Sequence, residues 1–133
     1  MKFVLAIGIA AVALAHAPVA CSAEISTHVL DLARGMGGSQ IPVTLSRKTG
    51  KDAWEQVAEA RTAANGRVAS FGESASFPAG TYKLHFDMSA YPAPGVTPFF
   101  PEIDIVFSVS DAAGHFHVPV AVSPFGYSTY RGN

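Results

Sequence analysis

The sequence contains little cysteine and little charge. Its 133 residues include one cysteine, Cys21, which excludes a disulfide within the chain. Only 14% of the residues are charged, and 9 basic against 10 acidic side chains give a formal net charge of −1. Such a balance provides no excess of positive charge for binding phosphates, so nucleic acid is not expected as a partner. The fold must be stabilised by burial of apolar surface, and the length suffices for one domain.

The chain also lacks an apolar run of transmembrane length. The run at residues 3–15 is shorter than the about 20 residues that a spanning helix needs. Small residues follow at Cys21-Ser22-Ala23, as at a secretory cleavage site. We expect a signal peptide over residues 1–23 and a domain over residues 24–133, in a periplasmic or secreted protein with no membrane-spanning segment in its mature form. The alternative is a lipoprotein anchored at Cys21.

After the amino-terminal segment there is no internal repeat and no low-complexity tract. Short segments of alternating apolar and polar residues recur between Gly, Pro and Asn, which is typical of an all-β protein. The sequence therefore predicts a two-sheet β-sandwich of seven to eight strands, with one short helix over residues 72–79. Residues 81–88 and 102–109 show this alternation most clearly. The other predicted strands are residues 25–31, 42–48, 53–62, 67–71 and 115–123.

Two histidines lie on one face of the last predicted strand. Alternation directs Phe116, Val118 and Val120 inward, and it directs His115 and His117 outward. The pair is either ordinary solvated surface or part of a pocket. A metal is not expected, because no cluster of further ligands accompanies the two rings.

Three other residues are candidates for a functional site, and each is equally consistent with a purely structural or solvated side chain when taken singly. His28 is consistent with a hydrogen-bonded structural histidine, and Arg67, after the Asn65-Gly66 turn, with a solvated arginine. Arg131 lies near the carboxyl terminus, where chains usually fray. The residue pattern alone indicates an exported β-sandwich and does not assign its function.

Several segments together resemble the 5-hydroxyisourate hydrolases, the transthyretin-related enzymes. The tail is the most specific, because those enzymes end in Tyr-Arg-Gly-Ser and this chain ends in Tyr130-Arg131-Gly132-Asn133. Transthyretin, a hormone carrier with the same fold, lacks that ending and the active-site histidines. The similar segments are residues 25–31 (ISTHVLD), 65–67 (NGR), 99–103 (FFPEI), 115–119 (HFHVP) and 123–133 (SPFGYSTYRGN).

The resemblance implies a transthyretin-like sandwich that hydrolyses 5-hydroxyisourate in urate degradation. It also implies a homotetramer whose sites lie in a channel between dimers. Because residues 24–133 contain no cysteine and no apparent Ser-His-Asp signature, we expect direct attack by water, without a metal or other cofactor. His115 is not a catalytic residue of the family, and Asn133 replaces the family's serine. The implied catalytic residues are His28, Arg67 and His117, and the implied substrate-binding residues are Tyr130, Arg131, Gly132 and Asn133.

Two non-enzymatic functions are the alternatives. One is a transthyretin-like protein that binds small aromatic ligands in the same channel, and the other is an exported structural or interaction module. The residues that favour the hydrolase over both are His28, Arg67, His117 and the Tyr130-Arg131-Gly132 ending. The sequence leaves open which histidine is the general base.

Overall fold

The computed structural model describes residues 23–72, 77–93, 97–110 and 114–133, which form two packed β-sheets. The all-β sandwich expected from the sequence is therefore confirmed. The strands are β1 (Glu24–Asp31), β2 (Met36–Gly37), β3 (Pro42–Lys48), β4 (Trp54–Arg61), β5 (Arg67–Val68), β6 (Gly80–Asp87), β7 (Glu102–Val109), β8 (His115–Ser123) and β9 (Gly126–Thr129).

One sheet is antiparallel throughout, in the order β4-β3-β6-β7. The other has the order β2-β1-β8-β9, and β5 also pairs with β1. Its central pair, β1 and β8, is parallel and joins the first and the eighth strands of the described residues. This pairing places residues that are far apart in the sequence side by side.

The core lies between the sheets and follows the predicted alternation. In β6, Tyr82, Leu84 and Phe86 are buried, while the polar residues between them are half-buried. The inward side of β8 is equally apolar. Each strand thus directs one face to the core and leaves the other for solvent or a site. Further core residues are Ile25, Val29, Val43, Leu45, Ile103, Ile105, Val109, Phe116, Val118, Val120 and Val122.

Some predicted element bounds differ from the observed ones. Strand β5 has two residues instead of the five predicted over 67–71. Strands β2 and β9 were not predicted, because β2 has only two residues and β9 is mostly exposed and lacks alternation. The predicted helix over residues 72–79 falls mainly on residues 73–76, outside the described ranges. The described residues include no helix that is long and apolar enough to cross a membrane.

The predicted signal peptide also lies outside the described ranges, apart from its last residue, Ala23. That residue is buried and forms an antiparallel bridge with Phe77. Its N–H donates to the Phe77 carbonyl at 2.8 Å, and its own carbonyl accepts from the Phe77 N–H at 3.0 Å. Ala23 is therefore part of the packed structure.

Candidate active site

Strand pairing collects the predicted catalytic residues on the outer face of the β1-β8 sheet. Ser26 of β1 is the register partner of His117 of β8, and His28 is the register partner of Arg67 of β5. Register partners project to the same face of a sheet, as do residues two apart in one strand. His28, Arg67 and His117 therefore share one surface, although 89 positions separate the two histidines in the sequence.

His117 is half-buried at the centre of this surface. Its Nδ1 lies 2.8 Å from the Ser26 hydroxyl oxygen. Burial lowers the pKa of His117, the nearby Arg67 guanidinium lowers it further, and His115 and His28 act in the same direction. The imidazole is therefore predominantly neutral at neutral pH, as a general base requires.

A tight turn positions Arg67 and His28 together. Gly66 has φ +80°, and a side chain there would overlap the Val29 carbonyl oxygen, so the turn requires glycine. The Asn65 side-chain oxygen accepts from the Arg67 N–H at 3.0 Å. The Asn65 carbonyl oxygen accepts from His28 Nε2 at 2.9 Å. Because a carbonyl oxygen can only accept, this hydrogen bond holds the His28 proton on Nε2.

The carboxyl-terminal tail is docked against His117. The Gly132 N–H donates to the His117 carbonyl at 2.8 Å, and the glycine lies directly against the imidazole. A side chain at Gly132 would approach Cδ2 of the ring to 2.5 Å. The terminus is therefore part of the site, although nothing local in the sequence specifies this contact.

Two cavities meet at His117. The first, of about 220 Å³, is lined by Arg67, His117 and Asn133, together with Ser26 and His115. His28 is not among its lining residues. The first cavity thus combines a fixed cation, an imidazole and the last residue of the chain.

The second cavity, of about 250 Å³, lies between the two sheets at the edge formed by β7 and β9. Tyr130 and Arg131 line it together with His117. The Arg131 guanidinium lies 5.3 Å from the centre of the Phe116 ring, a cation–π distance. The structure thus places Asn133 with Arg67 and His117, and it places Tyr130 and Arg131 on the other side of His117.

A third and more apolar cavity, of about 260 Å³, lies at the opposite end of β1 and β8, far from the histidines. Phe99 and Phe125 line its mouth, and Asp31 and Tyr91 lie inside. The Tyr91 hydroxyl donates to the buried Asp31 carboxylate at 2.5 Å. Two charged residues line this cavity, Asp31 and Arg34, and both contact the Tyr91 hydroxyl. The cavity lacks the imidazole of the first one.

Sequence reasoning missed Ser26 and gave His115 no role. Ser26 is two residues from His28, so alternation could have placed both on one face. Its contact with His117 depends on the parallel β1-β8 pairing, which no local pattern reveals. Within the described residues, no group of three or more His, Cys, Asp or Glu side chains is arranged to hold a metal ion.

Comparison with known proteins agrees with this arrangement of strands. The sequence profile of the HIUase/Transthyretin family matches residues 25–132. The chain belongs to the HIUase/Transthyretin family. A 5-hydroxyisourate hydrolase of Deinococcus radiodurans is 41% identical over 114 residues, which cover 82% of this chain and 95% of that protein.

Solved structures of the HIUase/Transthyretin fold include both an enzyme and a transthyretin. The 5-hydroxyisourate hydrolase of Klebsiella pneumoniae superimposes with a TM-score of 0.72 at 36% identity, covering 84% of this chain and 99% of that one. Transthyretin from Sparus aurata superimposes with a TM-score of 0.73 at 31% identity, covering 84% and 97%. Because the backbone resembles both equally, the site residues must distinguish the two activities.

Proposed function

We propose that this protein hydrolyses 5-hydroxyisourate to 2-oxo-4-hydroxy-4-carboxy-5-ureidoimidazoline in urate degradation. The observation that carries the proposal is the cavity in which Arg67, a neutral His117 and Asn133 meet. The relatives named 5-hydroxyisourate hydrolase support it over most of the chain. A binding protein does not require a base and a cation beside the same cavity.

The reaction opens the six-membered ring at an N–C(=O) bond. Water adds its oxygen to the carbonyl carbon, the C–N bond breaks, and the leaving nitrogen takes up a proton. A histidine can remove a proton from the water and return one to the nitrogen, which contributes about 10²–10⁴-fold. Arg67 pairs with the anionic heterocycle and with the developing oxyanion.

The tail completes this proposed site. Asn133 can donate and accept hydrogen bonds at the mouth of the first cavity, where the family's enzymes carry serine. Gly132 keeps the His117 ring in place by direct contact. Tyr130 and Arg131 would bind substrate from the second cavity or hold the tail there through Phe116.

The assay uses purified protein and freshly prepared 5-hydroxyisourate. Ultraviolet decay should be much faster than the spontaneous rate, and His117→Ala should remove most of the acceleration. His85→Ala is the matched control, since that histidine lies on the other sheet and bonds Asp104. Decay at the spontaneous rate with folded protein would contradict the proposal.

A non-enzymatic transthyretin-like function is the second candidate, and the match to Sparus aurata transthyretin favours it. It predicts binding of small aromatic ligands without turnover. Calorimetric titration with an aromatic acid, run beside the decay assay, separates the two. Binding without accelerated decay would support the second candidate.

We also propose that the protein assembles as a homotetramer. Within the described residues, β7 and β9 each pair on one side only, and such edges readily accept another strand. Phe99, Phe125 and Tyr130 are exposed near these edges. Apolar patches of this kind are typical of interfaces. Light scattering after size exclusion should give four times the chain mass, and a monomer would contradict this assembly.

Export to the periplasm or secretion is proposed on the amino-terminal sequence alone. Expression of the full chain in a bacterium, followed by intact-mass measurement of the exported form, tests it. A chain beginning at Glu24 fits a soluble protein and would lack the Ala23–Phe77 bridge. A diacylglyceryl group on Cys21 would favour the lipoprotein alternative, and a retained Met1 would contradict cleavage.

A further inference from the structure

One buried hydroxyl lies between the two outward histidines of β8. The Ser26 Oγ is 2.8 Å from His117 Nδ1 and 3.0 Å from His115 Nε2. Ser26 is only 5% exposed, and its two side-chain hydrogen bonds within the described residues both join imidazole nitrogens. The hydroxyl therefore has little access to water as a substitute partner.

This arrangement couples the tautomers of the two rings. A hydroxyl has one proton to donate, and a neutral imidazole carries one N–H. When Ser26 donates to one ring nitrogen, the other ring can complete the chain by donating to Ser26. Two directions are possible: one leaves a lone pair on Nε2 of His117, and the other leaves a proton on that nitrogen.

We propose that Ser26 is a positioning residue that accepts from His117 Nδ1–H and donates its own proton to His115 Nε2. This direction leaves a lone pair on His117 Nε2, the nitrogen that no protein group within the described residues occupies. The inference rests on the proposed hydrolysis, because a free lone pair is what removes a proton from the attacking water.

The hydrogen bond to Ser26 selects one of the two flipped orientations of the His117 ring, which have nearly the same shape. Rotation of the ring by a half turn would exchange Nδ1 with Cδ2. Gly132 lies against the Cδ2 edge, and Ser26 holds the Nδ1 edge. The ring is thus held between a hydroxyl on one side and a backbone on the other, which fixes the direction of Nε2.

The charges around the ring keep it neutral. Arg67 of β5 lines the same cavity and lowers the pKa of His117, so its charge disfavours a second proton and preserves one lone pair on the ring. Other titratable residues near the ring are His28 of β1, His115 of β8, and Tyr130 and Arg131 of the docked tail. His28 keeps its own proton on Nε2 through Asn65, so it does not compete for Ser26.

NMR of the full-length protein with isotope-labelled histidine reads the tautomer directly, without substrate. At a pH where His117 is neutral, its Nδ1 should be protonated and its Nε2 bare. Ser26→Ala should give a mixture of both tautomers, and Ser26→Thr, which keeps the hydroxyl, should restore the wild-type spectrum. Ser46→Ala, at a half-buried strand serine of the other sheet, is the matched control.

Kinetics supply the second readout. Ser26→Ala should lower kcat about 10-fold while KM changes little, since tautomer choice affects proton transfer more than binding. Ser26→Thr should recover most of that loss. A wild-type His117 protonated on Nε2, or a Ser26→Ala spectrum identical to the wild type, would overturn the role of Ser26. Absence of hydrolysis by the wild-type protein would instead overturn the proposed function, and the NMR spectra would still decide the tautomer.

Discussion

The N–H of Gly132 donates a 2.8 Å hydrogen bond to the His117 carbonyl, and the same glycine packs against the His117 imidazole. The carboxyl-terminal tail and the histidine of the proposed site therefore hold each other in place. Only a residue without a side chain allows both contacts, because a Cβ would come within 2.5 Å of Cδ2. The docked terminus thus controls the orientation of the histidine.

Gly132→Ala should displace either the tail or the ring. We expect kcat/KM to fall about 10²-fold, because even a small misplacement of a catalytic group has an effect of that size. Thermal stability should change little. Gly126→Ala is the control in the same tail, because its nearest neighbour, Ser123 Oγ, lies 3.6 Å from the added carbon. Equal activity of both variants would argue against the contact.

Removal of residues 130–133 should leave the sandwich folded and abolish most hydrolysis. The core strands end before this segment, so circular dichroism and the melting temperature should change little. Asn133→Ser, which restores the family ending, should change the rate modestly if asparagine replaces the serine. A sharp increase would indicate a weakened enzyme, and a truncated chain with the full rate would contradict any role for the tail.

His117→Ala should lose far more activity than His115→Ala, although both side chains face the same way. The expected loss at His117 is about 10²-fold or more in kcat, as for other acid–base deletions. Equal losses of activity in the two variants, with intact folds, would instead favour a metal site formed by both histidines. Dialysis against a chelator is the companion measurement, and we expect full activity afterwards.

The acid limb of the pH–rate profile should lie below the ordinary pKa of histidine. Burial and Arg67 lower the pKa of His117, so the ring stays neutral to lower pH and kcat/KM falls only when pH drops through that lowered value. Arg67→Gln removes the cation, raises the pKa of His117 and moves the limb to higher pH. Arg67→Lys keeps the charge and should keep the limb in place. A limb that does not move in Arg67→Gln would contradict this coupling.

Gly66→Ala and Gly35→Ala form a matched pair at positive φ. Gly35 has φ +65° with open space around it, so alanine should cost about 1 kcal/mol of unfolding free energy from backbone strain. At Gly66, alanine would also overlap the Val29 carbonyl, and we expect a larger loss of stability together with displaced Arg67 and reduced activity. Chemical denaturation measures both, and equal destabilisation would show that the turn can relax.

Sequence alternation by itself determined which residues of β6, β7 and β8 face the core, and hence the sandwich. Sequence motifs similar to those of the 5-hydroxyisourate hydrolases indicated the family and the candidate site residues His28, Arg67 and His117. Such patterns are local, because a strand's alternating side chains reflect burial on one face. They also located the Asn65-Gly66 turn that precedes Arg67.

Only the tertiary structure decided which strands are neighbours. The parallel pairing of β1 with β8 brings Ser26 within hydrogen-bonding distance of His117 across 91 positions of sequence. The docking of Gly132 on the same ring depends on β9 folding back along β8. Both contacts arise from long-range backbone pairing, which a local pattern of apolar and polar residues does not encode.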